Sequence, residues 1–409
     1  MATARPFDGL KVLDFMWAIV GPMTSRYLAE HGATVVRVDS VHHPDPVRIT
    51  PPYLGRQPGI NRAHLMAEAN VNKLSLGINM ARPGGVELIK RIITTWQPDL
   101  VCENFTPRAM KNWGLDYPAV RQLKPDIIYY SSCQLGHGGP RSAFAGYGHL
   151  ASAIAGYFHL TGWPDRGPVL AYGALSDFLS PAIGVSAIVA ALIHRKYTGE
   201  GQHIDQSQLE VPLHYLSPML LDYQVNGRVF GRMGNRDLRH APHGVFPCQG
   251  DDRWLAISVA SNEEWLALRQ AMGDPAWAQD SHFDTAPGRK QHEDEIEERI
   301  AGWTQDRVAE DLMVELQNCG VRAGVPISCA DMHHHPHLKR RNFFRYLEHP
   351  EGGTMPHLGL RFILSKTPGT IDRCYARVGT DTEHVLKDLA GLGDDEIGEM
   401  AAAGVLEWS

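Results

Sequence analysis

Over the first 200 residues short apolar runs alternate with helix-length amphipathic segments, the pattern of a parallel sheet covered by helices. Lys11 to Phe15 (KVLDF), Thr34 to Val38 (TVVRV), Leu100 to Cys102 and Ile127 to Ser131 read as buried strands. Between them Met23 to His31, Gly84 to Thr95 and Pro107 to Trp113 read as helices, the second opened by Arg82-Pro83-Gly84 and ended before Pro98. This order predicts a doubly wound α/β domain. From Gly156 the chain turns richer in Ala, Ile and Val, and Ser180 to His194 is apolar on all sides, as a central core helix would be. After Thr198-Gly199-Glu200-Gly201-Gln202 the stretch from His203 reads as one long helical connector, interrupted by Pro212 and Pro218 and closed by Asn226-Gly227. Residues 231 to 244 are rich in Gly, Arg and His. Then Arg253 to Val259 (RWLAISV) reads as a strand and Asn262 to Met272 as a helix capped by Ser261, opening a smaller α+β domain that runs to about residue 328. His333 to Arg341 and Glu348 to Thr370 have loop and short-strand character, and the last helical pattern covers Asp381 to Leu392.

Composition narrows the class. The 409 residues are 43% hydrophobic and 21% charged, enough for one to three domains with full cores. Lys plus Arg number 39 against 46 Asp plus Glu, a formal charge of −7, so no basic field exists for nucleic acid or anionic lipid. Apolar stretches such as Ala182 to Ile193 fall short of the ~20 residues a bilayer demands, and the opening MATARPFDG has no apolar signal region. Six cysteines stand far apart, with no CxxC. The expectation is a cytoplasmic protein with free thiols.

The usual motif templates fail. Ala18-Ile19-Val20-Gly21-Pro22 fills the turn where a dinucleotide fold would carry GxGxxG, and GxxxxGK[ST], GxSxG and HExxH are missing. His333, His334, His335 and His337 are the densest donor cluster, but Pro336 and the cations Lys339, Arg340 and Arg341 crowd it, so solvated loop histidines are expected rather than a metal centre. Gly136 to Pro140 follows a strand, as a ligand loop at the carboxyl edge of an open sheet or a plain tight turn would. Asp177 stands out: a lone carboxylate entering the most apolar helix, among small neighbours that would let a ligand approach. Its two readings are a functional acid and a helix N-terminal cap.

Together these segments resemble the class III CoA-transferases, the family of formyl-CoA and crotonobetainyl-CoA:carnitine CoA-transferases, with acyl-CoA racemases as relatives. PFDGLKVLDF, HGATVVRVD, NVNKLSLGINM, ENFTP with WGLDYPAV, LGHGGPRS, YGALSDF, RKYTGEGQHID and GNRDLRHAPHGVF recur in order from residue 6 to about 250. GVPISCADMHHHPHLKRRNFF and the C-terminal stretch extend the likeness over almost the whole chain. The resemblance implies a Rossmann-like large domain without dinucleotide chemistry, a small α+β domain, and two chains threaded as an interlocked, ring-like dimer. With the patterning above it gives a CoA-binding domain over 1–215, a connector over 216–235, a small domain over 236–328, and a connector with a return to the large domain over 329–409.

The resemblance further implies that Asp177 is the nucleophile. Its carboxylate would attack an acyl-CoA thioester, hold the acyl group as an aspartyl anhydride, and pass CoA to a second acid, with no metal or redox nucleotide. It places CoA near Ala18, Ile19, Ile78, Asn79, Met80, Asn104, Phe105 and Thr106, with Ala145, Gly146, Tyr147 and Gly148 at the thioester end. Where relatives often carry two arginines this chain has Ser40 and Asn112, which leaves Arg37, Lys73, Arg108 and Arg48 as candidates for the CoA phosphates. A family Gly-Tyr-Asp reads Gly146-Tyr147-Gly148, so a second carboxylate beside the nucleophile is missing and His149 follows. Gly231, Gly234, Asn235 and Arg236 stand where formyl-CoA enzymes carry a glycine-rich loop, which points away from formate and oxalate. Arg236, His240 and His243 could meet a second carboxylate, as in a succinyl-CoA donor. The alternatives are an acyl-CoA racemase and a non-catalytic subunit of a heteromeric transferase; the chain is expected to pair with a second copy or a related chain.

Overall fold

In a computed structural model the described residues are 4–171, 173–375 and 377–409. They form two compact units: one built from the stretches up to Phe158, Leu170–Val229 and Arg340–Ser409, the other from His159–Val169 with Phe230–Lys339. The second unit is therefore wider than the patterning predicts, because it includes the stretch His159–Val169.

The first unit is a six-stranded sheet of β1 (Lys11–Asp14), β2 (Thr34–Asp39), β3 (Leu74–Gly77), β4 (Leu100–Glu103), β5 (Ile128–Cys133) and β6 (His203–Ser207), ordered β3-β2-β1-β4-β5-β6 and parallel throughout. Both faces are covered, so apolar residues on the central strands point to either side, as Val12 and Leu13 of β1 and Leu100 and Val101 of β4 do. Alternation sends Leu13, Val36, Val101 and Tyr129 into a core with the helix Pro83–Trp96, and Val12, Val35, Leu100 and Tyr130 into one with Leu28 and Ile188. The helices are α1 (Val20–Glu30), α2 (His64–Ala69), α3 (Pro83–Trp96), α4 (Pro107–Trp113), α5 (Tyr117–Leu123), α6 (Gly148–Ile154), α7 (Tyr157–Leu160), α8 (Leu175–Thr198), α9 (Glu210–Tyr215) and α10 (Ser217–Asn226).

Two expectations change here. The connector after residue 202 is not one helix: it opens with the polar edge strand β6, and Pro212 and Pro218 each sit in the first turn of a separate short helix. Proline lacks only an N–H that the first turn leaves unpaired anyway. The core helix α8 runs 24 residues, so by length and composition it could cross a bilayer, unlike the shorter apolar run read from sequence. Its Gly184, Val185, Ile188 and Ala191 are nonetheless buried within this unit.

In the second unit β7 (His243–Pro247), β8 (Trp254–Ser258) and β9 (Arg322–Gly324) form an antiparallel sheet, packed through Leu255 and Ile257 onto Trp265, Leu268, Ile296, Ile300 and Leu312. Ser261 caps the helix Asn262–Ala271, its hydroxyl accepting from the Glu264 N–H. The histidine-rich stretch is helical rather than a loop: Ser328 and Asp331 form a capping box for Cys329–His334, and Pro336–Arg340 follows. The chain then rejoins the first unit through the hairpin β10 (Phe344–Glu348) and β11 (Thr354–Leu358). The last helix is Asp394–Ala402, beyond the predicted segment, of which only Thr382–His384 is α-helical before a π turn. Leu406 pairs with Ile78, and a side chain at Gly77 would meet the Glu407 carbonyl at 1.9 Å.

Candidate active site

In the strand order β3-β2-β1-β4-β5-β6 successive connections run in opposite directions from β1 and β4, and open α/β sheets bind ligands outside the carboxyl ends of the strands at that point. A cavity of about 150 Å³ lies there, lined by Trp17 and Ala18 after β1, Asn104, Phe105 and Thr106 after β4, Cys133 and Gln134 at the end of β5, Gln208 after β6, Phe144 to Tyr147, and Asp177. Asn104 joins the two central loops: its Oδ1 accepts from the Trp17 N–H at 2.7 Å and its Nδ2 donates to the Trp17 carbonyl at 2.8 Å. Ala18 is held at φ 60°, a left-handed conformation unfavourable to alanine, with its N–H donating to the Asp45 carboxylate at 3.1 Å. Such strain persists only where the surroundings fix it.

Asp177 is the third residue of α8 and only 3% exposed. Two serines bring α6 against it: Ser152 and Ser176 hydroxyls both donate to the Gly148 carbonyl, at 2.7 and 3.0 Å, and the Ser176 N–H donates to Ser152 Oγ at 3.2 Å. Gly148 is thereby pressed onto the acid, and a Cβ there would lie 2.7 Å from Asp177 Cγ. This is a physical reason for glycine at position 148. Asp177 lies in the first turn of α8, and no side-chain hydrogen bond caps that helix start. Burial pushes this carboxyl up from 3.8 to about 7, against the lowering effect of the Gly148 backbone. A desolvated carboxylate is poorly stabilised as a base and correspondingly reactive as a nucleophile.

A second cavity of about 300 Å³ is lined by Phe15, Trp17, Val38, Asp39, Ser40, His43, Ile78, Met80, Ala81, Phe105 and Trp113. Trp17 and Phe105 border both cavities and meet edge to face at 5.2 Å. Of the residues expected near CoA, Ala18, Asn104, Phe105, Thr106, Ala145, Gly146 and Tyr147 line the first cavity, and Ile78, Met80 and Phe105 the second. Ile19 instead packs with Val47 and Met66, and Asn79 is buried with its Oδ1 accepting from the Ala81 N–H. His149 is half-buried on α6 and lines neither cavity.

The expected phosphate cations need correction. Arg37, Arg48 and Lys73 are wholly buried inside the first unit. Arg37 pairs with Asp45 at 2.6 Å and Arg48 with Asp39. Lys73 donates to Asp14 at 2.9 Å, to Asn70 at 2.7 Å and to the Pro22 carbonyl at 3.0 Å, and burial pulls its pKa down to about 8. These charges are committed to structural pairs, which leaves Arg108, exposed in the first turn of α4. Ser40 donates to Glu407 at 2.7 Å and Asn112 is exposed on α4. Arg236, in the second unit, is held by Glu297 at 2.8 Å and also by Asp294 and Glu293, so it is not free to receive a substrate carboxylate. His240 stands 3.2 Å from Asp237, and His243 Nδ1 donates to the Asn235 carbonyl at 2.7 Å. Gly136 to Pro140 is an anchored turn: the His137 N–H donates to Asp205 at 2.9 Å, and no residue of it lines the cavities above.

Sequence reasoning missed Gln134 and Gln208. Gln134 Nε2 donates to Gln208 Oε1 at 2.8 Å, and Gln134 Oε1 is buried without a partner among the described residues. The available signal, for Gln134 alone, was a polar residue directly after a buried strand.

The profile of CoA-transferase family III matches residues 7–382. The chain is 30% identical over 402 residues to a succinyl-CoA–D-citramalate CoA-transferase of Chloroflexus aurantiacus, covering 98% of each chain. It is 31% identical over 386 residues to a succinate–glutarate CoA-transferase of Agrobacterium fabrum, covering 94% of this chain and 96% of that one. A crystal structure of a CaiB/BaiF family protein from Brucella suis superposes with a TM-score of 0.86 at 28% identity, over 94% of this chain and all of that one. The crossover cavity with its buried acid and this end-to-end match agree: the chain is a transferase and belongs to CoA-transferase family III.

Proposed function

We propose that the protein moves CoA from succinyl-CoA to a second carboxylic acid, itself a dicarboxylate, through acyl intermediates on Asp177. The observation that carries this reading is one nearly buried carboxyl, with its pKa raised to about 7, lining the cavity at the sheet crossover. The ionised Asp177 attacks the thioester carbonyl, the C–S bond breaks, and CoA leaves as thiolate from a mixed anhydride. Attack of the thiolate on the aspartyl carbonyl releases the donor acid and leaves CoA on Asp177. The acceptor carboxylate displaces CoA again through a second anhydride, and thiolate attack on its outer carbonyl restores the aspartate. Burial excludes water from the two anhydrides, and the Gly148 backbone packs against the reacting carboxyl.

The apolar second cavity with Phe105, Trp113 and Met80 suits the adenine end of CoA, and Trp17 with Phe105 bridges it to the acid. Arg108 is our choice for a phosphate. The dicarboxylate class rests on the two transferases above, not on Arg236. Racemisation would need a base on each face of the α-carbon, yet Asp177 is the only Asp, Glu, His or Lys among the described residues lining the first cavity. Side chains exposed on α8 (Phe178, Ile183, Ile193, Tyr197) and α10 (Leu220, Leu221, Tyr223, Val225) support pairing with a second chain as an interlocked dimer. The test is Asp177→Ala assayed with succinyl-CoA and a panel of dicarboxylic acceptors: folded protein with transfer abolished is expected, and retained transfer sinks the assignment.

A further inference from the structure

We propose that Gln208, oriented by Gln134, is the side-chain donor that meets the negative oxygen formed when Asp177 attacks an acyl carbonyl. The inference rests on the transfer reading above and adds a catalytic residue to it. As the bond from Asp177 to the thioester carbon forms, the carbonyl electron pair moves onto oxygen; it returns as the C–S bond breaks and CoA leaves as thiolate. Where burial keeps water away, that oxygen needs a donor from the protein. Among the described residues lining the cavity there is no Lys, Arg or His, so its side-chain donors are neutral. The amides among them are Asn104, Gln134 and Gln208. Asn104 Nδ2 donates to the Trp17 carbonyl at 2.8 Å, and Gln134 Nε2 donates to Gln208 Oε1 at 2.8 Å. Gln208 Nε2 is left with no acceptor among the described residues.

The sheet holds both glutamines in place. Strands β5 and β6 pair up to Cys133 and Ser207, and the bonding continues past them. The Gln208 N–H donates to the Cys133 carbonyl at 2.9 Å and the Leu209 N–H to the Gln134 carbonyl at 3.0 Å. The two side chains therefore start from fixed backbone at the carboxyl ends of adjacent strands, and they are only 5% and 4% exposed. The bond between their amides also has a direction. With Gln134 Nε2 donating, the atom left bare in the interior is Gln134 Oε1. Turning both amides round would bury an NH₂ group there with its hydrogens unpaired, which costs more than a bare oxygen. The observed direction occupies Gln208 Oε1 and leaves its NH₂ group for the cavity that Gln208 and Asp177 both line. That cavity holds only about 150 Å³, so a carbonyl bonded to Asp177 lies close to the wall that Gln208 forms.

The test uses the full chain and follows exchange of isotope-labelled succinate into succinyl-CoA, which needs no second acid. Gln208→Met, Gln134→Met and the double variant keep side-chain length and remove the amides. Loss of one preorganised donor costs about 10²–10³ in kcat, so Gln208→Met should slow exchange by about a hundredfold or more, with KM for succinyl-CoA and melting temperature near those of the parent. Gln134→Met should lose less, and the double variant should be no slower than Gln208→Met, because Gln134 acts only through Gln208. Should Gln208→Met fail to fold, Gln208→Ser is read in its place. A kcat near the parent's in a folded Gln208 variant, or losses that multiply in the double variant, overturns the inference. Asp177→Ala in the same assay separates it from the reading beneath it. Exchange retained by Asp177→Ala sinks both, whereas exchange lost in Asp177→Ala and kept in Gln208→Met sinks the role of Gln208 alone.

Discussion

Replacing Asp177 by asparagine keeps shape and acceptor oxygen while removing the charge, so it isolates what burial does to the ionised acid. The folded-state pKa of about 7 lies above the ordinary 3.8. An acid raised in this way binds more protons folded than unfolded between those values, so stability is full below about 4 and falls as pH rises toward 7. The distance from 3.8 to about 7, at ~1.36 kcal/mol per pH unit, makes the loss about 4 kcal/mol at pH 8.5, an upper bound where cavity water screens the charge. By the same linkage about 2 kcal/mol of it is already lost at pH 5.5. Asp177→Asn should therefore be more stable than the parent above neutrality, by a margin growing about 2 kcal/mol between pH 5.5 and pH 8.5. Urea unfolding of both proteins across that range, read by fluorescence at fixed protein concentration, measures the margin. A margin that stays flat, or a variant that loses ground as pH rises, would refute the claim that Asp177 is an uncompensated buried acid.

The same pKa has a kinetic counterpart: only the carboxylate attacks a thioester, so kcat/KM for the acyl-CoA donor should fall about tenfold per pH unit below roughly pH 7 and level off above it. A pH–rate profile flat down to pH 5 would contradict this. Gly148→Ala should lower kcat at least a hundredfold with little change in melting temperature, because its methyl would sit 2.7 Å from Asp177 Cγ; steady-state kinetics beside a melting curve decide it. Lys73→Ala leaves Asp14 buried without its cation and should destabilise the protein by about 3–5 kcal/mol, measured by urea unfolding. Arg108→Ala should instead raise KM for CoA substrates several-fold at unchanged melting temperature, and equal KM would remove Arg108 from phosphate binding.

Strands β1, β2, β4 and β5 and helix α4 were legible because each strand has adjacent apolar residues, as strands buried on both faces do, and because proline and glycine bracket the helix. The edge strand β6 was not: His-Ile-Asp-Gln-Ser has one strongly apolar residue, since it pairs only with β5. Asp177 was visible as a charge opening an apolar helix; it is buried and lines the cavity at the sheet crossover. The cations were not legible. Arg37 lies within a strand and Lys73 just before one, and patterning treats a charged residue as solvated, whereas here Asp45 and Asp14 neutralise them in the interior. Asp14 lies 59 residues from Lys73, so only the fold pairs them. Gln134 and Gln208 escaped for the same reason, their contact existing only once β5 and β6 lie side by side.

Transfer through Asp177 requires a covalent bond to that side chain. Incubating the protein with succinyl-CoA and hydroxylamine, then digesting it and sequencing the peptides by mass spectrometry, asks whether that bond forms. Activity should be lost in step with conversion of Asp177 to its hydroxamate, with no such change when the acyl-CoA is omitted. An unmodified Asp177 in protein that is still transferring CoA would contradict it.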